Sequence, residues 1–254
     1  MHASYDQDCH ELRRSLCWNV RIWQTTVCAI DMFPGYGPLI LTMKLAGLTT
    51  LILLVIGTLI AWWLANTKTK FKPVIEAMVA LPIVLPPTVL GFYMLIILGP
   101  QGWVGSWWIE LTGESLIFSF SGLVVASVIY SLPFVVQPIQ SAFESIDQRL
   151  LEVAHSLGAK PIDAFFTIAI PLSKRGFLTG AVLGFAHTLG EFGVVLMVGG
   201  NIPGETRVIS IAIYDHVEML EYGQAHVMAG ILLAFAFTCM LLMYIGNHIF
   251  KVRV

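Results

Sequence analysis

The sequence predicts an all-α integral membrane protein with about five transmembrane helices. Of its 254 residues, 57% are hydrophobic and 12% are charged, against a charged share of about 25% in ordinary soluble domains. The apolar residues fall into stretches long enough to cross a bilayer, which takes about 20 residues of helix. The predicted spans are residues 45–64, 77–98, 116–139, 177–198 and 227–250.

The basic residues between these spans predict how the chain is oriented. They cluster after the first span and before the fourth, at Lys68, Lys70, Lys72, Lys174 and Arg175. Lysine and arginine accumulate in cytoplasmic loops, so both clusters are expected inside the cell. Residues 99–115 contain no lysine or arginine and residues 199–226 contain only Arg207, so we expect both segments outside.

Prolines predict irregular helices within the membrane. The second span contains Pro82, Pro86 and Pro87, which remove backbone donors and favour a kink or a break. A broken span needs protein or water around it rather than lipid. The break is therefore either a structural kink or a flexible element that lines a transport pathway. Pro133 and Pro138 are expected to interrupt the third span near its end.

The loop between the third and fourth spans, residues 141–175, is predicted to form two short helices joined by a tight bend. Residues 150–157 alternate small, acidic and apolar side chains at helical spacing. Gly158 suits a left-handed helix end, and Pro161 suits the first turn of a second helix. Pro171 is expected to end that second helix.

The same loop carries a recognisable pattern: Glu152, Ala154, Gly158, Ala159, Ile168 and Pro171. It closely resembles the cytoplasmic signature loop of ABC-transporter permeases of the binding-protein-dependent importer class, with Val153 replacing their usual first alanine. The resemblance implies a cytoplasmic coupling-helix loop that docks in a cleft of a separate ATPase subunit and passes its closing motion to a membrane gate. An ordinary surface hairpin is the alternative interpretation.

Three further segments narrow the resemblance. Residues 81–91, residues 189–193 and the external segment with Asn201, Pro203, Gly204, Glu205 and Thr206 are similar to those of permease subunits of molybdate transporters. The resemblance implies an importer in the inner (cytoplasmic) membrane with a homodimer of permeases, a dimer of ABC ATPases and an extracytoplasmic molybdate-binding protein. This chain would bind no cofactor, because ATP and magnesium belong to the ATPase. A permease for tungstate or sulfate/thiosulfate is the alternative.

Two ionisable residues within the fourth span are candidates for the pathway or gate. His187 and Glu191 are four residues apart, which predicts a position on one helix face. A doubly charged oxyanion would be repelled by an ionised Glu191, so we expect this side chain either to hydrogen-bond between spans or to belong to the gate. His187 stands where related permeases commonly carry arginine. It is expected either to be neutral and bonded to a backbone carbonyl or to be protonated and attract the anion.

Other classes of protein fit less well. The sequence has no HExxH, GxSxG or Walker motif, so an intramembrane enzyme or an ATPase is disfavoured. A passive channel would not need the loop at residues 141–175, and a net charge of −2 does not indicate nucleic-acid binding. The resemblance covers residues 33–254, whereas residues 1–32 are expected to be an extension that is either an interfacial helix or an over-long start.

Overall fold

In the computed structural model, residues 36–249 are described, and within them every regular element is a helix. The predicted extension at residues 1–32 lies outside the described residues. The seventh helix in chain order contains a π-helical turn at Phe165–Ala169. In chain order the helices are α1 (Gly37–Asn66), α2 (Lys72–Val84), α3 (Pro87–Leu98), α4 (Trp103–Thr112), α5 (Phe120–Glu144), α6 (Gln148–Ser156), α7 (Pro161–Leu172), α8 (Lys174–Leu189), α9 (Gly193–Gly199), α10 (Ile209–Glu218) and α11 (Tyr222–Ile249).

Three of these helices, α1, α5 and α11, are each long and apolar enough to cross a membrane. Two further spans form if bent pairs are counted as one crossing each. The pair α2 and α3 bends by 111°, and the pair α8 and α9 bends by 60°. The described part of the chain thus holds three to five spans, and the predicted all-α membrane fold is confirmed.

The break between α2 and α3 follows from two consecutive prolines. A residue that precedes proline is pushed out of the α region, and Leu85 and Pro86 are both extended, with ψ near 135°. Pro87 then occupies the first turn of α3, where its missing N–H costs no hydrogen bond. Pro82 stays inside α2. The predicted break is confirmed, and its position is set by the Pro86–Pro87 pair.

The fourth span is also broken, which the sequence analysis did not predict. Helix α8 ends at Leu189, and α9 begins at Gly193. The prediction that His187 and Glu191 share one helix face is therefore wrong, because Glu191 lies in the break. Gly190 and Gly193 flank the break. Because glycine is a weak helix former, ending the helix there loses little helix stability.

The third span is continuous, contrary to prediction. Helix α5 runs from Phe120 to Glu144 with Pro133 and Pro138 inside it. Membrane helices tolerate internal proline where neighbouring helices pack over the freed backbone groups, and α5 is packed by α1, α8 and α9. The two segments expected outside also contain helices of their own, α4 and α10.

A stripe of glycines seats α8 against α5. Gly176, Gly180 and Gly184 recur every four residues on one face of α8, and all three are buried. A Cβ atom at Gly176 would lie 2.4 Å from the Ala142 Cβ, and one at Gly184 would lie 2.5 Å from a Val135 methyl group. Small residues at this spacing let two membrane helices approach closely. Helix α5 is thus the centre of the fold, with α1 and α8 packed against it.

Candidate functional site: an exposed helix pair and a cavity between broken spans

The bend between α6 and α7 is a Schellman helix end. Gly158 has a φ of +87°, the left-handed conformation predicted for it. The Ala159 N–H donates to the Ala154 carbonyl oxygen at 3.0 Å, and the Leu157 N–H donates to that of Val153 at 3.0 Å. A Cβ at Gly158 would meet no atom within 4 Å, so glycine is required by the backbone angle rather than by space.

The helix pair presents an apolar surface that no described residue covers. Leu157 is 83% exposed, Ile162 is 70% exposed and Phe166 is 61% exposed. Glu152 and Pro171 of the same loop are also exposed, whereas Ala154, Ala159 and Ile168 are half-buried. Exposed apolar side chains rimmed by charged ones mark interaction surfaces in proteins. We call this surface, formed by the exposed side chains of residues 150–171, the docking face.

The other side of the helix pair is anchored to the membrane helices by aromatic rings. Phe165 lies edge-on against Trp62 of α1, with ring centroids 4.9 Å apart. Phe143 of α5 contacts Trp62 at 5.1 Å and Phe177 of α8 at 5.8 Å. These four rings form the aromatic cluster, which joins α7 to three membrane helices. Trp62 is therefore half-buried against these rings, whereas Trp63 is 47% exposed and suits a belt of tryptophans at the membrane interface.

A polar network beside the cluster joins α2 to α5. The Lys72 Nζ donates to a Glu144 carboxylate oxygen at 3.0 Å and lies 3.6 Å from Glu76. The Gln140 amide donates to Glu76 at 2.7 Å and to Glu144 at 3.0 Å. Exposed ion pairs contribute little alone, but these four groups hold the first half of the broken second span against α5 at the end nearest the docking face.

The two breaks meet and leave a cavity of about 580 Å³ between them. Gly193 lies against Pro87, since a Cβ at Gly193 would be 2.8 Å from the Pro87 Cβ. Gly91 of α3 packs on Met197 of α9 in the same way, since a Cβ added at Gly91 would be 2.9 Å from the Met197 Cβ. Irregular backbone at membrane depth is tolerated where it lines such a cavity. The lining includes Pro87, Thr88, Tyr130, His187, Glu191 and Met197.

His187 is held by α5 on one side of this cavity. Its Nδ1 lies 2.9 Å from the Ser131 hydroxyl, so its partner is a side chain and not the backbone carbonyl that the sequence suggested. The ring stacks on Phe134 with centroids 3.9 Å apart and tilts against Tyr130 at 4.7 Å. These contacts fix the plane of the imidazole while leaving one edge for the cavity.

Glu191 lies in the break of the fourth span and is buried, with 4% of its surface exposed. Neither carboxyl oxygen has a hydrogen-bonding partner among the described residues. The Ser127 hydroxyl of α5 nevertheless lies close enough to act on this carboxyl, so the expected contact between spans is present without ideal hydrogen-bond geometry. The backbone carbonyl of Glu191, in contrast, accepts a hydrogen bond from the Ser210 hydroxyl at 2.5 Å, which ties the break to α10.

The segment between α9 and α10 is ordered by its own polar residues. The buried Thr206 hydroxyl donates to the Gly199 carbonyl at 2.7 Å and accepts from the Ile202 N–H at 2.8 Å. The Asn201 amide donates to Asp215 of α10 at 3.0 Å, and Arg207 donates to the Asn201 oxygen at 2.7 Å. Exposed at its tip are Pro203, Gly204 and Glu205, and Gly204 has a φ of +83°.

The predicted site residues thus separate into three places. Residues of the signature loop form the docking face, Pro87 of the second span lines the cavity with His187 and Glu191, and the external residues form a separate turn. Pro86 lies at the break but is not among the lining residues. Pro82 lies inside α2 rather than at the break. Sequence reasoning missed Ser131, Trp62 and the partnership of Asp215 with Asn201. Only the type of these residues was visible in the sequence, because their partners are distant along the chain.

Comparison with known proteins agrees with this arrangement. Residues 53–252 match the family described as "Binding-protein-dependent transport system inner membrane component". The chain belongs to this family, and it is a multi-pass membrane component of a transport system rather than an enzyme.

Individual relatives are more specific. The chain is 59% identical over 204 residues, 80% of its length and 90% of the relative's, to the "Molybdenum transport system permease protein ModB" of Azotobacter vinelandii. It is 32% identical over 222 residues, 87% of its length and 75% of the relative's, to the "Sulfate transport system permease protein CysT" of a Synechocystis strain.

A solved structure shares the fold. The chain aligns over all of its length and all of a chain in the "Crystal structure of bacterial alginate ABC transporter in complex with alginate pentasaccharide-bound periplasmic protein", with a TM-score of 0.68 and 18% identity.

Proposed function

We propose that this chain is the permease subunit of an ATP-driven importer for molybdate. The observation that carries the choice of ion is the 59% identity to the Azotobacter molybdenum permease, which extends over 80% of this chain. The cavity between the two broken spans supports a pathway role, because the irregular segments of both spans line it. The proposed location is the inner (cytoplasmic) membrane.

The docking face supports an ATPase partner. Its exposed Leu157, Ile162 and Phe166 give a partner cleft apolar side chains to bury, in the manner of an amphipathic helix in a groove. The aromatic cluster would carry movement of α7 to α1, α5 and α8. ATP and magnesium would be bound by that partner, and this chain itself would bind no cofactor.

Two further partners complete the proposal. The described residues hold at most five spans, which are too few to enclose a pathway for a hydrated oxyanion. A symmetric homodimer of permeases, served by a dimer of ATPases, is therefore the proposed unit. An extracytoplasmic molybdate-binding protein would deliver the ion to the external side, where residues 201–206 form a rigid turn. The alginate transporter with the same fold was solved with a periplasmic protein bound.

Sulfate/thiosulfate or tungstate is the second candidate substrate, since the Synechocystis sulfate permease is related over 87% of this chain. A passive channel is a more remote alternative, and it would make no use of the docking face. Uptake of labelled molybdate, in cells that depend on this transporter, should be competed more strongly by unlabelled molybdate than by an equal concentration of sulfate. Stronger competition by sulfate would reassign the substrate. Failure of the permease to co-purify with an ATPase would favour a channel.

A further inference from the structure

We propose that the cavity between the two broken spans is an oxyanion-binding subsite, in which His187 binds the anion as an imidazolium and takes up one proton when the anion enters. This inference rests on the proposed function, since it assumes that an oxyanion passes through the cavity. Beyond the proposed function, it names His187 as the residue that supplies the positive charge and explains why this charge depends on proton uptake.

A chain of three hydrogen bonds fixes the state of one imidazole nitrogen. The Thr188 hydroxyl gives its only hydrogen to the Gly184 carbonyl at 2.9 Å, so it accepts from the Ser131 hydroxyl at 3.0 Å. The only hydrogen of Ser131 is then committed to Thr188. Its oxygen must therefore accept from the His187 Nδ1–H, 2.9 Å away. The Nδ1 atom of His187 carries a proton whether the ring is neutral or charged.

The remaining nitrogen, Nε2, is therefore the atom that gains or loses a proton. In the neutral ring it presents a lone pair, which repels an anion; in the imidazolium it presents an N–H donor. No described residue hydrogen-bonds to Nε2, and the ring lines the cavity. The stacked Phe134 and the tilted Tyr130 place aromatic faces against the imidazole, which attract the imidazolium once it forms, whereas burial favours the neutral ring as long as no anion is present.

No other lining group can provide the charge. Among the described residues that line the cavity, Glu191 and Tyr130 are the other titratable groups, and neither can become a cation. The Glu191 carboxyl is 4% exposed and faces the uncharged Ser127 hydroxyl, and a buried carboxylate with no cation beside it is strongly disfavoured, so it is held as the neutral acid. In that form it does not repel the anion and adds an O–H donor. Helices α3 and α9 contribute no ionisable lining residue.

The proton balance is simple. When the oxyanion enters, one proton from the adjoining water binds the lone pair of Nε2 and gives the imidazolium. When the anion leaves, the same proton returns to water. No other bond is formed or broken, and Ser131 acts as a positioning residue that keeps Nδ1 occupied.

The test measures initial uptake of labelled molybdate by proteoliposomes that contain the complete transporter, between about pH 5 and 8, where histidine titrates. The rate is divided at each pH by the ATP hydrolysis rate. Wild-type uptake should fall as pH rises, by at most about tenfold per pH unit, the limit for one proton.

His187→Arg should transport with a flat pH profile, and His187→Gln should be at least tenfold slower. Ser131→Ala should weaken uptake and alter the profile, which Ser131→Thr should restore.

His226→Gln is the matched control, because His226 is an exposed histidine at the start of α11. It should keep the wild-type profile. An unchanged profile in His187→Gln or a wild-type slope in His187→Arg would overturn the proposal, as would a flattened profile in His226→Gln. If the wild-type transporter carries sulfate or tungstate in place of molybdate, the choice of ion fails alone, and the same pH series with that ion still decides the role of His187.

Discussion

Phe165, in the π-helical turn of α7, lies edge-on against Trp62 near the end of α1, with ring centroids 4.9 Å apart. This contact joins α7 to α1, the longest helix among the described residues. Phe143 and Phe177 extend it to α5 and α8. Packed rings thus connect α7 to three membrane helices, and we expect a displacement of α7 to be transmitted through them.

Replacing Phe165 with alanine should weaken this transmission. Each aromatic pair contributes about 0.5–1.5 kcal/mol beyond its buried area, so the loss should leave the permease folded but loosen α7. We expect ATP hydrolysis by the assembled transporter to persist while anion uptake per ATP falls. Phe166→Ala is the matched control, because Phe166 is exposed on the docking face; it should reduce ATPase retention instead. Equal effects of the two variants would contradict separate roles for these neighbouring rings.

The glycine stripe of α8 makes a prediction about stability. In Gly176→Ala the new methyl group would lie 2.4 Å from the Ala142 Cβ and 2.8 Å from the Pro138 carbonyl oxygen, so α8 must move away from α5. Overpacking of this kind typically costs about 1–3 kcal/mol. Gly47→Ala in α1 is the control, since its methyl group would meet nothing within 4 Å. Thermal aggregation of the detergent-solubilised proteins should begin at a lower temperature for Gly176→Ala than for the wild type or Gly47→Ala. The same onset temperature in all three would argue against close packing of α8 on α5.

The predicted orientation is testable with fusion reporters. A reporter placed after Lys70 or Lys174 should be cytoplasmic because these loops are rich in lysine and arginine. A reporter within residues 99–115 or after Glu218 should be external. An enzyme that is active only outside the cell, paired with one that is active only inside, distinguishes the two cases. A cytoplasmic signal after Glu218 would overturn the five-span orientation.

Structural features that depend on a few neighbouring residues could be predicted from the sequence, whereas contacts between distant residues could not. The left-handed Gly158 and the break at Pro86 and Pro87 were predicted because backbone restrictions on glycine and proline act within a few residues. The break at Gly190 was not predicted, because glycine allows a helix to end but does not require it to end. Pairing of His187 with Ser131, 56 residues away, depends on how α5 and α8 pack, which no local pattern encodes.

The roles of the docking face, the cavity and the external turn stay predictions, although the geometry of each is described. Trp62 illustrates why residue type does not determine position: tryptophan is common at membrane interfaces, but this ring is half-buried against Phe143 and Phe165. Conversely, Glu152 is exposed on the docking face, where the resemblance had implied contact with an ATPase.

The central claim is that the bend between α6 and α7 couples an ATPase to anion transport. Gly158→Val tests it, because a β-branched residue at a φ of +87° costs roughly 1 kcal/mol or more and redirects the chain, although its Cβ meets nothing within 4 Å. Gly113→Val is a closely matched control: Gly113 has a φ of +77° and the same open surroundings, but follows α4 on the predicted external side.

The decisive measurement is anion uptake together with ATPase retention on purification, at equal membrane levels of each permease. Gly158→Val should insert normally, retain its ATPase weakly and transport poorly, whereas Gly113→Val should match the wild type in both. Wild-type uptake and retention in Gly158→Val would contradict the coupling role and leave residues 141–175 as an ordinary surface hairpin.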